Sequence, residues 1–247
     1  GMGAVTAIKY YKNGTRLSSA PVDVGEYTVK IDVARGNNYN SASDVTSSEW
    51  KFTISKAAPA ASNFTFTPSA GLVYDGTQKS AEVKIKSGIT GMGNITAVKY
   101  LKDGESTATT TAPKDAGTYS VLIDVSDGSN YASVTGLTSS NWKFTIEKAV
   151  PTSDDFIFTP PSNLVYDGSR KNARVTLKSD LSGLGGMTYR YYWGNAGYNG
   201  AVAPGPAYTY IVKISFSEGE NFTSATDVTS EDWTFTITRA TTTVDKF

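Results

Sequence analysis

Neither histidine nor cysteine occurs in the 247 residues, and much of protein chemistry leaves with them. Imidazole acid/base catalysis, the usual zinc sites, thiolate nucleophiles and disulfides all need one or the other. Oxygens and aromatic rings remain. The stretch "DVSDGSN" offers Asp124, Asp127 and Asn130, donors of the kind a hard cation such as calcium takes. Two related stretches, "DVARGNN" and "SFSEGEN", do not keep the full set, with Arg35 in place of Asp127 and Ser215 in place of Asp124, so a turn is the stronger reading and no metal or other cofactor is expected. Glu231 and Asp232 are adjacent carboxylates, yet glycoside chemistry needs two carboxyls facing one cleft. These two sit beside Trp233, where related stretches read Ser-Glu or Ser-Asn, and a solvated turn explains them.

The aromatic candidate is "TYRYYWGNAGYNG". Aligned with "TAVKYLKDGEST" and "TAIKYYKNGTRL", it turns Tyr189 and Tyr191 inward and Tyr192 outward beside Arg190, with Trp193 near the strand end and Tyr198 shortly after. Flat rings supply contact area at low entropic cost, so Arg190, Tyr192, Trp193 and Tyr198 are the candidate ligand-binding residues, for a sugar or a peptide. The competing reading packs Trp193 against its own altered loop, "NGAVAPGPAY".

A repeated unit must position these residues. "YDG" at Tyr74 recurs at Tyr166, and both the tryptophans Trp50, Trp142 and Trp233 and the tyrosines Tyr27, Tyr119 and Tyr210 recur at a spacing of about 92 residues. The cut points "KAAPAAS", "KAVPTSD" and "RATTTVD" are poor in large apolar residues, as linkers are. They divide the chain into 1–57, the later half of one copy; 58–149, a whole copy; 150–240, a whole but diverged copy; and 241–247, the start of a further one.

Within each copy side chains alternate with period two. Tyr119, Val121, Ile123 and Val125 share one face, and Tyr27 and Tyr210 open strands of the same phase. "WKFTI" and "AEVKIK" alternate likewise, and with "FTF", "LVYDG" and "ITAVKYLKDG" they give about six or seven short strands per copy, punctuated by Asp-Gly turns. Size and rhythm predict an all-β chain of tandem immunoglobulin-like β-sandwiches. "DAGTY" has the look of a tyrosine corner, in which the phenol ties a crossover loop to the strand start; the third copy reads "PGPAYTY" and lacks that context. A β-grasp is the alternative, but it needs a packed helix, and short stretches such as "DVTSSEW" read as turns.

Composition bounds the partners. Lys+Arg and Asp+Glu both number 23, without basic runs, so no field draws nucleic acid or an anionic membrane. No apolar run approaches the ~20 residues of a membrane-spanning helix, and the first residues lack the order of a signal peptide.

"LVYDG", "AGTY", "NY" and "FTI" followed closely by Lys-Ala occur in that order. In this the chain resembles the tandem YDG or MBG type domains, and more broadly the bacterial immunoglobulin-like repeats, of secreted and surface-anchored proteins. The resemblance implies an extracellular or cell-surface location, a stalk, spacer or adhesion role toward a host or microbial glycan or protein, and no catalysis. With a bacterial host, the Asn-x-Ser/Thr triplets at Asn13, Asn63, Asn94 and Asn221 are expected to be Thr-rich strands only.

"GMGAVTAIKYYKNG" at Gly1 matches "GMGNITAVKYLKDG" at Gly91, so the first copy is expected to lack the strands that would cover Ile8, Tyr10, Tyr27, Val29, Ile31, Trp50, Phe52 and Ile54. An apolar face of that kind predicts either a symmetric homodimer through residues 4–55 or poor order there.

Overall fold

The computed structural model describes residues 1–193 and 199–242, with Asn199 by its backbone alone. Tyr198 and residues 243–247, at the expected opening strand of a further copy, lie outside the described residues. The chain is all-β with several sheets. Its strands are β1 (Val5–Lys12), β2 (Thr15–Arg16), β3 (Gly25–Val33), β4 (Ala42–Val45), β5 (Lys51–Ile54), β6 (Phe64–Thr67), β7 (Glu82–Ile85), β8 (Ile95–Lys102), β9 (Gly117–Val125), β10 (Val134–Ile146), β11 (Phe156–Thr159), β12 (Arg174–Leu177), β13 (Met187–Tyr192), β14 (Asn199–Gly200), β15 (Thr209–Phe216), β16 (Ala225–Val228) and β17 (Thr234–Thr236). Helical structure among the described residues is limited to single 3-10 turns at Ala61–Asn63 and Ser153–Asp155, so no helix packs on a sheet as a β-grasp requires. "LVYDG" forms no strand; Val73 and Val165 make single parallel bridges to Glu147 and Thr238.

Contacts divide the chain into two compact units. The first comprises Gly1–Thr67, Glu82–Lys99 and Val121–Trp142; the second comprises Pro68–Ala81, Tyr100–Ser120 and Lys143–Phe247. In the first unit β3 is the centre of a sheet ordered β2-β1-β3-β4, with β5 on β3 as well. In the second, β15 is the centre of β14-β13-β15-β16, with β17 on β15. The order is the same because the same sequence is being read: β3 carries Tyr27 and β15 carries Tyr210. β9, with Tyr119, likewise lies between β10 and β8.

Two local devices fix these sheets. One is a bulge. Asp44 and Asp227, both at φ 55°, and Gly136 at φ 68° occupy equivalent positions, where aspartate and glycine tolerate the left-handed backbone. The bulged N–H is caught each time from the central strand: Asp44 by the Asp32 carboxylate at 3.0 Å, Gly136 by Asp124 at 2.9 Å and Asp227 by the Ser215 hydroxyl at 3.1 Å. The other is the tyrosine corner. Tyr27, Tyr119 and Tyr210 donate to the carbonyls of Asp23, Asp115 and Pro206 at 2.7, 2.9 and 2.9 Å. The third copy keeps the bond without the Asp-x-Gly context, because the acceptor is a main-chain carbonyl that any residue supplies. Burial, with Asp115, Glu105 and Glu220 nearby, pushes the Tyr119 phenol up to about 12.

Cores form where a second layer covers these sheets. β6 and β7 pair with Phe64 opposite Ile85, and Phe64 and Phe66 lie 6.1 and 6.2 Å from Trp142. β11 and β12 pair with Phe156 opposite Leu177; Phe156 stacks on Phe216 at 5.0 Å and Phe158 on Trp233 at 6.1 Å. The first copy has no such ribbon among its described residues. Trp50 therefore keeps 38% of its surface exposed, where Trp142 keeps 5% and Trp233 keeps 4%. Ile8 and Phe52 are exposed as well, and with Val29 and Ile31 they line a shallow apolar face.

Candidate functional site

The most elaborate polar arrangement in each unit is built on a loop the sequence reading treated as a plain turn. Gly-x-Asn-aromatic occurs three times, ending at Tyr39, Tyr131 and Phe222. In the first unit Gly128 N–H donates to the Tyr131 carbonyl and Asn130 N–H to the Gly91 carbonyl, both at 2.9 Å. The glycines are obligatory: a Cβ on Gly128 would lie 2.3 Å from the Gly91 oxygen, and one on Gly93 would lie 1.9 Å from the Ser126 oxygen. Two backbones thus cross at contact distance and hold the asparagine rigidly.

Asn130 reaches from this loop into the preceding copy. Its amide nitrogen donates to the Asp23 carboxylate at 2.7 Å, and its amide oxygen accepts from the Val24 N–H at 3.0 Å. Its main-chain carbonyl accepts from Ala57 N–H at 3.0 Å, and the Ala57 carbonyl accepts from Ala132 N–H at 2.9 Å. Lys56 pairs with Asp127 alongside. An amide suits this position, since it donates to a carboxylate and accepts from an N–H at once, whereas a carboxylate would only accept.

The second unit repeats this atom for atom. Asn221 donates to the Asp115 carboxylate at 2.9 Å and accepts from Ala116 N–H at 2.8 Å. Its carbonyl accepts from Ala149 N–H at 3.0 Å, the Ala149 carbonyl accepts from Thr223 N–H at 2.9 Å, and Lys148 pairs with Glu218. Here the clamp is buried, with Asn221 only 1% exposed, and its second amide proton goes to the Ser182 carbonyl at 3.2 Å. Lys148 holds the Glu218 carboxyl below its usual range. Beside the clamp Tyr74 packs edge-on against Phe222 at 5.3 Å and accepts from Ser182 N–H at 2.8 Å.

The "YDG" motif is a second polar device. The Asp75 carboxylate accepts from Thr77 N–H at 2.8 Å and from Lys79 Nζ at 2.6 Å, and Lys79 is only 5% exposed. Burial pushes the Asp75 carboxyl up, but Lys79 and Thr77 outweigh it and bring it down to about 2. Asp167, Ser169 and Lys171 repeat the turn, with Lys171 Nζ 2.7 Å from Asp167, and Lys171 and Ser169 hold the Asp167 carboxyl far below its usual range.

The residues singled out from sequence are not brought together in one place. Arg190 and Tyr192 share a face of β13, opposite Lys213 and Ile211 of β15, and the Lys213 ammonium sits 4.8 Å over the Tyr192 ring. Trp193 turns the other way. It stacks on Tyr208 at 4.5 Å, meets Tyr210 edge-on at 5.7 Å and packs half-buried against the core. Tyr208, the last residue of the loop "NGAVAPGPAY" against which the competing reading packs Trp193, is exposed and completes a surface pair of rings. Tyr198 lies outside the described residues.

Asp124, Asp127 and Asn130 have separate duties: Asp124 holds the bulge and pairs with Lys99 at 2.5 Å, Asp127 pairs with Lys56, and Asn130 forms the clamp. Asn221, counted as an Asn-x-Thr triplet, is buried by its clamp. No helix among the described residues is long and apolar enough to cross a membrane. No protein-family model, curated protein or solved structure matches the chain significantly.

Proposed function

We propose that the chain is a non-catalytic segment of an extracellular bacterial surface protein, in which tandem immunoglobulin-like sandwiches act as a stalk or spacer. One observation carries this reading: the clamp that joins the first copy to the second is repeated, with the same partners, between the second and the third. A spacer needs joints that transmit position from one copy to the next. An amide bridging a carboxylate and a main-chain N–H, flanked by an ion pair, does that without a metal. The resemblance to YDG and bacterial immunoglobulin-like repeats supplies the location. Antibodies raised against the chain should label intact cells of the source organism; labelling only after permeabilisation would contradict it.

A second reading has its own support. The stacked Trp193 and exposed Tyr208 offer a flat aromatic platform on the diverged third copy, suited to a sugar ring or a peptide. Binding on a glycan array that Trp193→Ala abolishes, while the melting temperature stays within a few degrees of the parent, would establish a recognition module. Loss of stability comparable to Trp142→Ala, about 3 to 5 kcal/mol, would mark Trp193 as packing alone.

A further inference from the structure

The first copy carries the same Gly-x-Asn-aromatic loop, with the same main-chain crossing. Gly36 N–H donates to the Tyr39 carbonyl at 2.9 Å and Asn38 N–H to the Gly1 carbonyl at 3.0 Å, as Asn130 does to Gly91 and Asn221 to Gly183. A Cβ on Gly36 would lie 2.2 Å from the Gly1 oxygen, so this crossing is as tight as the other two. Yet Asn38 is exposed and Tyr39 keeps 59% of its surface, where the equivalent Phe222 keeps 1%.

One charge is reversed. Asp127 and Glu218, which receive Lys56 and Lys148, correspond to Arg35 in the first copy. The far end of the third copy is altered too. Its clamp positions hold Pro206 and Ala207 in place of Asp23-Val24 and Asp115-Ala116, and Arg239 stands where Lys56 and Lys148 stand. That end supplies no carboxylate for Asn38, and Arg239 would meet Arg35 with like charge, which rejects a partner as effectively as a good contact selects one.

We propose that Arg35, Asn38 and Tyr39 form a docking edge for the end of another copy of this repeat, one that carries aspartate at the clamp position and an acidic side chain in place of the linker lysine. The end of the third copy is mismatched at both positions, so it does not fit this edge while a correctly marked copy does. The docking edge rests on the reading of the clamp as a joint between copies.

The test gives the chain the missing marks. Pro206 and Arg239 are exposed, and the corner bond of Tyr210 uses only the residue-206 carbonyl. Pro206→Asp with Arg239→Glu should produce head-to-tail oligomers whose sedimentation-average mass rises with concentration over a range where the parent is unchanged. Adding Asn38→Ala should return the mass to that of the parent. An independent route, Pro206→Asp with Arg35→Glu, restores opposite charges from the other side and should associate as well. Parental sedimentation of both marked variants, or association that survives Asn38→Ala, overturns the docking edge. Asn221→Ala separates the two ideas. If it leaves distances across the existing joint unchanged, the clamp reading itself fails; if it loosens that joint while the marked variants stay monomeric, only the docking edge fails.

Discussion

At the scale of the residue, one side chain does two opposite jobs: Asn221 donates a hydrogen bond to the Asp115 carboxylate and accepts one from the Ala116 N–H. Removing it leaves a buried N–H unanswered and a carboxylate with one donor fewer, so Asn221→Ala should cost about 1 to 3 kcal/mol in urea denaturation. Asn38→Ala, at an exposed position, should change stability by no more than about 0.5 kcal/mol. Asn221→Asp keeps the shape but sets two carboxylates against each other. That variant should be weakest at neutral pH and recover part of its loss on acidification. The sequence displayed this residue in three copies, always two after a glycine and just before an aromatic ring. Its role was hidden because the partner lies roughly a hundred residues away and because Asn130 and Asn221 each matched another familiar pattern.

At the scale of the element, the alternation of Tyr119, Val121, Ile123 and Val125 was enough to place β9 and its counterparts, since a half-buried strand writes its period directly into the sequence. "LVYDG" misled because its apolar residues serve a single bridge and a turn. The turn has a titration of its own. The folded Asp75 carboxyl lies at about 2 against an ordinary 3.8, so its partners favour the ionised form. The stability this contributes is complete above about pH 4 and is lost as the pH falls toward 2. Asp75→Asn should flatten that part of the stability profile, followed by denaturant midpoints between pH 2 and 5; an unchanged slope would show that the turn is indifferent to charge. The covering ribbons set a second contrast. Truncating Trp142 or Trp233 to alanine should cost about 3 to 5 kcal/mol, whereas Trp50→Ala, on the face without a ribbon, should cost clearly less.

At the scale of the whole molecule, the periodicity of about 92 residues was legible at once, while what joins one period to the next was not. The joints are made of main-chain groups, one amide and one ion pair, none of which stands out in a linear reading. A spacer requires them to be fixed. A chain without cysteine accepts spin labels at chosen sites only, and Ser106 and Thr226 are exposed positions on the second and third copies within one unit. Ser106→Cys with Thr226→Cys, labelled and measured by pulsed electron paramagnetic resonance, should give one narrow distance distribution that broadens markedly when Asn221→Ala is added. A distribution already broad with Asn221 in place, or one that stays narrow without it, would contradict the joint and the spacer built on it.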